Sequence, residues 1–456
     1  MPFPLPLVPF EQYMLLDERP AYPMNFFARL RFEGVLQRDA LERAVALCLG
    51  RHPLLASHVQ RRGWRLVWRP SRERPAIKWG NGRLANGRAE AALPTATPID
   101  LSRETGLRIR VVVDAERSDL VLQFHHACCD GVGAFRFIND LLVSYDALSS
   151  DLPREPRLHR LNPQRLRNRG KFGMTPRKLL RAAPQQLVGL LGVMQFLMRK
   201  PVSLAAPTDP VPEELSVMYP GAVTAALEVE ESDAVREAAV RNGVTTNDLL
   251  VRDLFLALQT WRERNRSPEE SDWVRLAIPI NLRTAADRRL PAANITSMVF
   301  LDRQPPEMAD GAALLQSVHD EMGLIKRLRL GLTFVLSLKA AALIPGGIRR
   351  MAQTNSSRAT CVLTNLGSPL AKLPLARDDG RLVAGDVTLT GMDLLAPIRP
   401  HTAAAVAVWC DAGRLHVTLH YDVSLLDVET ARELLGDYLA QIRCNIARRS
   451  PIHSAV

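Results

Sequence analysis

At 456 residues the chain is longer than a single hydrophobic core usually supports, so two large halves are expected. Apolar residues make up 47% and charged residues 23%, which excludes a disordered or collagen-like chain and leaves ample material for a folded enzyme. The net charge of +11 is confined to one segment: residues 151–200 hold twelve Lys or Arg against two acidic residues, and no nucleic-acid-binding motif accompanies them.

The start, Met1-Pro2-Phe3-Pro4-Leu5-Pro6, has neither the positive region nor the apolar run of a signal peptide. Cys48, Cys128, Cys129, Cys361, Cys410 and Cys444 lack metal-ligand spacing and include no pair suited to a local disulfide. Both features predict a cytoplasmic chain without a bound metal.

Asn25 to Phe32 alternates in its second half and reads as a strand; Asp39 to Leu47 carries apolar residues at helical spacing. Arg51-His52-Pro53-Leu54-Leu55 ends that helix, because the residue before a proline is pushed out of the helical region. Residues 108–113 and 120–125 form a predicted hairpin around a polar turn. Ala134 to Leu148 places Phe135, Ile138, Leu141, Leu142 and Tyr145 on one helical face. From Ser149 to Pro212 the composition shifts to Arg, Pro and Leu, marking a linker with an embedded apolar helix.

A second half begins near Gly221, with a strand over 223–229 and a helix from Ser232. Thr245-Thr246-Asn247-Asp248 resembles an N-terminal cap before a helix from Leu249 to Trp261. Strands are predicted at 273–280, 295–301, 359–364, 403–409 and 414–420, and helices near 310–328 and 429–447. The class is α/β or α+β, divided as 1–150, a linker over 151–215, and 216–456, with no repeat of fixed period.

The chemistry centres on His125-His126-Ala127-Cys128-Cys129-Asp130-Gly131, between a strand and a helix. A neutral imidazole can take the proton of a hydroxyl or amine as that group attacks a carbonyl, and His126 is the candidate base. His125, adjacent on an extended run, should point the other way and act structurally. A buried Asp130 needs a cation, and Gly131 would permit a positive φ or a close approach of substrate. Three alternatives compete: histidines satisfied in the core, a zinc site, and a cysteine nucleophile. Five potential ligands within six residues cannot all converge on one tetrahedral ion, and no third group orients Cys128 or Cys129.

The motif resembles the signature of the chloramphenicol acetyltransferase-like superfamily, which includes condensation domains, BAHD enzymes, and wax ester and polyketide-associated acyltransferases. The likeness extends along the chain. Arg51 to Leu55 is similar to an early Arg-His-Pro-x-Leu element, and Thr245 to Leu250 to the helix opening the second half. Ile278-Pro279-Ile280-Asn281-Leu282-Arg283 resembles a Pro-x-Asn-x-Arg element, and Thr364-Asn365-Leu366-Gly367 a late Asn-x-Gly strand. The plant family's Asp-Phe-Gly-Trp-Gly motif and a wax ester synthase C-terminal signature are absent, which leaves the subfamily open.

The resemblance implies two chloramphenicol acetyltransferase-like halves around a central tunnel, with donor and acceptor entering from opposite ends. It implies His126 as base, Asp130 as a structural acid and Arg283 as its partner; Asn281, Thr364, Asn365 and the Gly131 amide are candidates for holding substrate or the oxyanion. The expected activity moves an acyl group from a thioester to a hydroxyl or amine, with no permanently bound cofactor. The donor would be acyl-CoA or an acyl group on a phosphopantetheinyl carrier protein. Two rivals are a catalytically silent module that binds a carrier protein and a lipid binder at a membrane surface. For the second, Leu187, Leu190, Leu191, Met194, Leu197 and Met198 fall at helical spacing between Arg177, Lys178, Arg181 and Arg199, Lys200. A second apolar stretch, Leu332 to Pro345, could share a lipid-facing patch. A peripheral place at an anionic inner-membrane surface would follow, and a nucleic-acid partner is not expected.

Overall fold

The computed structural model describes residues 2–81, 96–150, 152, 154–205, 211–354 and 357–447. Two lobes, each a mixed α/β layer structure, meet at a central cavity. The first is built on a seven-stranded sheet in the order Arg377–Asp378, Arg381–Ala384, Val387–Leu395, Asn25–Glu33, Arg117–His125, Leu107–Val113 and Ile77–Asn81. All neighbours are antiparallel except the last pair. Helices Arg38–Arg51 and Gly131–Ser149 pack together, and the second buries Phe137, Ile138, Leu141 and Tyr145 in this lobe's core. A small sheet of Leu5–Pro6, Arg65–Pro70 and Ser57–Arg62 stands beside it.

The second lobe holds a six-stranded sheet in the order Thr296–Arg303, Val274–Asn281, Cys361–Asn365, Ala404–Asp411, Arg414–Tyr421 and Gly221–Ala226. Cys361–Asn365 runs parallel to both neighbours, and the other pairs are antiparallel. Helices Val229–Arg241, Thr246–Asn265, Gly311–Arg327 and Val428–Ala447 pack against one another around a core that includes Leu254, Phe255, Trp261 and Tyr438.

Caps set the helix starts. Thr245 Oγ1 accepts from the Asp248 N–H at 3.2 Å, and Asp248 Oδ2 accepts from the Thr245 N–H at 2.9 Å, closing a capping box. Glu231 closes another on Glu228 at 2.9 Å, so this helix begins at Val229 rather than at Ser232 and the preceding strand stops at Ala226. Asp130 caps the helix after the motif, which therefore starts at Gly131 and not at Ala134. In the hairpin, Asp114 Oδ1 accepts from the main chain of Glu116 and Arg117, which shortens the turn and lets the second strand begin at Arg117.

Strand Val387–Leu395, far along the second half, lies against Asn25–Glu33 in the first lobe's sheet, with Leu395 opposite Phe27 and Thr388 opposite Glu33. The first sheet therefore is not made by residues 1–150 alone. The linker is anchored as well. In its 3-10 segment Pro163–Lys171, Arg169 is buried and pairs with Glu11, Nε to Oε1 at 2.6 Å and Nη2 to Oε2 at 2.7 Å. Helix Pro176–Met198 follows. Among the described residues, no helix is long and apolar enough to cross a membrane.

Candidate active site

The central strand Arg117–His125 is buried from Ser118 onward, and it ends where the two lobes meet. Consecutive side chains on an extended strand face opposite sides, so its last residue and the next one separate. His125 turns into the first lobe and is fully buried: Nε2 lies 3.0 Å from Glu18 Oε2, and Nδ1 accepts from the Ala127 N–H at 3.0 Å. These contacts put the ring proton on Nε2 and occupy both nitrogens. His126 faces the cavity between the lobes and keeps part of its surface open to it.

The main chain of His126 is held at both polar groups. Its N–H donates to Met24 O at 2.7 Å, and its carbonyl accepts from Asn294 Nδ2 at 2.8 Å. Asn294 Nδ2 also lies 3.3 Å from His126 Nδ1, and Phe26 packs edge-on against the ring with centroids 5.2 Å apart. Burial lowers the His126 pKa below the ordinary histidine value, and the repulsion of His125 adds to this; a ring hydrogen bond to its own carbonyl and the charge of Asp130 oppose it. The imidazole is therefore neutral near pH 7.

Asp130 lies on the wall of the same cavity but makes no hydrogen bond to His126. Its carboxylate meets Arg283 in a fork, Nη1 to Oδ2 and Nη2 to Oδ1, both at 2.8 Å. The main-chain N–H groups of Gly133 (2.8 Å) and Ile295 (2.7 Å) complete its shell. Burial alone would raise its pKa, but the Arg283 charge and these donors outweigh it and hold the carboxyl below the usual value. Arg283 also donates to Ala293 O at 2.8 Å, so the pair joins the motif turn of the first lobe to the second-lobe segment around residues 281–295.

The other residues singled out in the sequence reach the same cavity: Gly131, Asn281, Thr364 and Asn365 all line it. Asn281 and Asn365 spend their side-chain oxygens on local turns. Asn281 Oδ1 accepts from the Arg283 N–H at 3.0 Å, and Asn365 Oδ1 from the Gly367 N–H at 2.9 Å. Asn365 Nδ2 lies 3.3 Å from Asn247 Oδ1. Gly131 does not adopt a positive φ, one of the two roles open to it. A Cβ there would come within 2.8 Å of Leu366 Cδ2 from the other lobe, so that side-chain end would have to move. Cys128 and Cys129 are wholly buried, with burial pushing both thiols well above the ordinary value, which makes them packing groups rather than nucleophiles. Among the described residues, no cluster of three or more His, Cys, Asp or Glu could hold a metal ion.

Three residues of this site escaped the sequence reading. Glu18 and Asn294 act through contacts distant in sequence, for which no local pattern exists. Gly133 has a visible signal as the second glycine after Asp130. A Cβ on it would strike Ala293 O at 2.8 Å and Cys129 Cβ at 2.9 Å, and a main-chain atom cannot move aside as a side-chain end can.

The cavity is mostly apolar, with Phe26, Phe27, Phe300 and Phe334 among its lining residues. Solved structures with this fold exist. The first condensation domain of the calcium-dependent antibiotic synthetase, in complex with a substrate analogue, superposes with a TM-score of 0.68 over 98% of this chain and 97% of its own, at 14% identity. The fold is that of a condensation domain. The starter condensation domain of rhizomide synthetase, solved with C8-CoA and Leu-SNAC, gives 0.67 at 15% identity over 97% of this chain and 94% of its own. The X-domain from teicoplanin biosynthesis gives 0.64 at 15% identity over 98% and 96%. These domains belong to the superfamily that the motif resembles, and at such identities the likeness is one of fold.

No protein-family model matches the chain. Among curated proteins, uncharacterised proteins of two Mycobacterium tuberculosis strains are 23% identical over 255 residues. The match covers 56% of this chain, which thus spans just over half the length of those relatives. A stretch of 138 residues is 32% identical to a component of the linear gramicidin synthase of Brevibacillus parabrevis, covering 28% of this chain and 2% of that protein.

Proposed function

We propose that the chain transfers an acyl group from a thioester to a hydroxyl or amine, with His126 as general base. One observation carries this reading: the His126 ring borders a largely apolar cavity between the lobes, and burial keeps it neutral at physiological pH. In the tautomer that donates from Nδ1 to its own carbonyl, Nε2 is left to accept a proton. As Nε2 takes the acceptor's proton, the acceptor oxygen or nitrogen bonds to the thioester carbon. The tetrahedral adduct then expels the sulfur, and the imidazolium returns its proton to the departing thiolate. No covalent enzyme intermediate is required.

Asp130 acts at one remove by joining the lobes with Arg283, and Asn294 is a positioning residue for His126. Thr364 is the candidate oxyanion donor, because it carries a hydroxyl and lines the cavity, while Asn281 and Asn365 hold turns. The thioester arrives as acyl-CoA or on a phosphopantetheinyl carrier protein. Support for either comes from the fold neighbours, among which the rhizomide domain was solved with C8-CoA and Leu-SNAC. Incubation with octanoyl-CoA and an octanoylated carrier protein, against hydroxyl and amine acceptors, tests the reading by mass spectrometry. It expects an acylated acceptor that His126→Ala fails to form. A folded wild-type chain that binds the carrier without turnover would instead be a silent binding module.

A second reading, contact of the chain with an anionic membrane surface, rests on exposure. Leu190, Leu191, Met194, Leu197 and Met198 are 55–71% exposed on helix Pro176–Met198. The helix packs on Gly331–Ala341, where a Cβ on Gly189 would come within 2.3 Å of Thr333 Oγ1. Just beyond that second helix Leu343 and Ile344 are 86% and 57% exposed, and Phe334 within it reaches the cavity. An apolar face flanked by Arg177, Arg199 and Lys200 suits a helix lying at a lipid interface. Flotation with anionic vesicles should show binding that weakens with salt, and a chain that stays unbound at low salt would end this reading.

A further inference from the structure

Beyond the motif turn, the same cavity is lined by Tyr13, Asp17, Arg358 and Arg399. Asp17 is fully buried, and Arg399 Nη2 pairs with its Oδ1 and donates to Ala352 O at 3.1 Å. Among the described residues Arg358 makes no ion pair. Its Nε donates to Thr354 Oγ1 at 2.9 Å and its Nη2 to Met351 O, and the Tyr13 hydroxyl and the charges of Asp17 and Arg399 also act on it. Two guanidinium groups thus share one carboxylate. Arg399 Nε and Asp17 Oδ2 are buried and find no hydrogen-bond partner. The next acid along the chain, Glu18, does not neutralise the surplus at the cavity: its carboxylate faces His125, and it is not a lining residue.

A cation in an apolar wall loses much of its hydration, and a chain keeps one there only if something compensates it. Among the described residues no second acid compensates it, and the cation lines a cavity that a ligand can occupy. Pockets of this kind bury the ligand's apolar body and use a few placed polar groups to orient it.

We propose that Arg358, with Arg399 beside it, binds a carboxylate carried on the acyl group or the acceptor of the reaction. The surplus of one positive charge matches a monoanion. A phosphate monoester, with a charge of about −1.5 to −2 at pH 7, would overshoot it. The planar fork of guanidinium fits a carboxylate in two-point contact. The cluster and His126 line the same cavity, so one substrate can touch both. The enzyme's substrates then include a hydroxy acid, an amino acid, or the half-thioester of a dicarboxylic acid. The inference rests on the acyl-transfer reading for its catalytic meaning, but the subsite itself is tested by binding without turnover.

Octanoate, octanol and octyl phosphate, below their micellar concentrations, are titrated into the full chain by calorimetry. Octanoate is expected to bind at least tenfold tighter than octanol, and Arg358→Met to abolish that difference. A difference that persists in folded Arg358→Met, or octanoate binding no tighter than octanol, overturns the subsite. Octyl phosphate binding tenfold tighter than octanoate overturns the choice of carboxylate. If Arg358→Met fails to fold, a structure of the wild type with octanoate decides: its carboxylate lies in hydrogen-bond contact with Arg358, or the proposal falls. Loss of turnover in His126→Ala has no bearing on these affinities, so failure of the subsite and failure of the acyl-transfer reading are separate results.

Discussion

At the lobe junction, Asp130 and Arg283 meet one to one, and main-chain donors from Gly133 and Ile295 fill the remaining acceptor positions of the carboxylate. Around Asp17 the count is two cations to one acid and the carboxylate oxygen Oδ2 finds no donor, whereas at the junction both carboxylate oxygens are filled and the atom left over is Arg283 Nε. Both clusters border the same cavity, so burial alone does not explain the contrast. A closed network holds two parts of a protein in one arrangement, whereas an open one has capacity left for something outside the chain. The first is therefore read as part of the scaffold and the second as part of the binding surface. Removing a member should be costly in the closed cluster and nearly free for the surplus cation of the open one.

The largest effect is expected in the closed cluster. Asp130→Ala or Arg283→Ala strands its partner's charge and should cost about 3–5 kcal/mol. The double variant should lose less than the sum of the two. Additive losses in a double-mutant cycle, read from urea unfolding, would break the contrast at its firmer side. Next comes the chemical step. His126→Ala should keep its fold and lose a factor of about a hundred or more in single-turnover rate, the usual scale for a general base. His125→Ala should act on stability, because it leaves Glu18 without its partner. A folded His125→Ala without activity, beside an active His126→Ala, would exchange the two roles.

Acid should separate the clusters further. Burial, the leading cause in each case, lowers the pKa of His52, His126, His416 and His420, the last two to about 4. In the unfolded chain these groups titrate near 6.5, as histidine ordinarily does, so below that pH the unfolded state binds more protons and the native state loses stability. Each such proton contributes a slope of about 1.4 kcal/mol per pH unit. Asp130 adds to this at lower pH: its folded pKa is depressed, so its contribution is complete above its unfolded value of about 3.9 and is lost as pH falls through the folded one. Unfolding midpoints at pH 7.5, 5.5 and 4.5 should fall in that order. A rise in stability between pH 7.5 and 5.5 would contradict the burial of these rings.

Much of the motif turn was legible because its information is local. Alternation on a strand separates His125 from His126, and a buried acid at a turn needs a cation, but which cation came only from the resemblance of the element around Arg283 to a family pattern. Helices Thr246–Asn265 and Val428–Ala447 follow apolar periodicity to within a few residues of the expected ends. Other features depend on where distant segments meet. Residues 387–395 carry alternating apolar residues, yet nothing local says that they join a strand more than 350 positions earlier. Asn294 and Glu18 are ordinary polar residues until the fold brings them to the motif. The Arg358–Arg399–Asp17 cluster draws on three segments, and its surplus charge exists only in their assembly. The linker helix was visible as an apolar stripe, but its exposed face depends on what packs against it.

The smallest expected effect is the sharpest test of the contrast. Arg358→Met removes a guanidinium that has no acid of its own, so no carboxylate is stranded. Arg399 stays paired with Asp17, and what remains is a one-to-one pair like that at the lobe junction. Thr354 Oγ1 and Met351 O lose donors, at about 0.5–1.5 kcal/mol for each net hydrogen bond. Against that, the protein no longer desolvates an unpaired charge, whose burial lowers the Arg358 pKa in the native state. The two contributions oppose each other, and methionine fills the apolar wall without a polar atom that needs a partner. Stability should therefore change by no more than about 1 kcal/mol, in either direction, while Arg283→Met loses several times that. If Arg358→Met destabilises the chain as much as Arg283→Met does, Arg358 belongs to the scaffold, and the distinction between a closed and an open cluster does not hold.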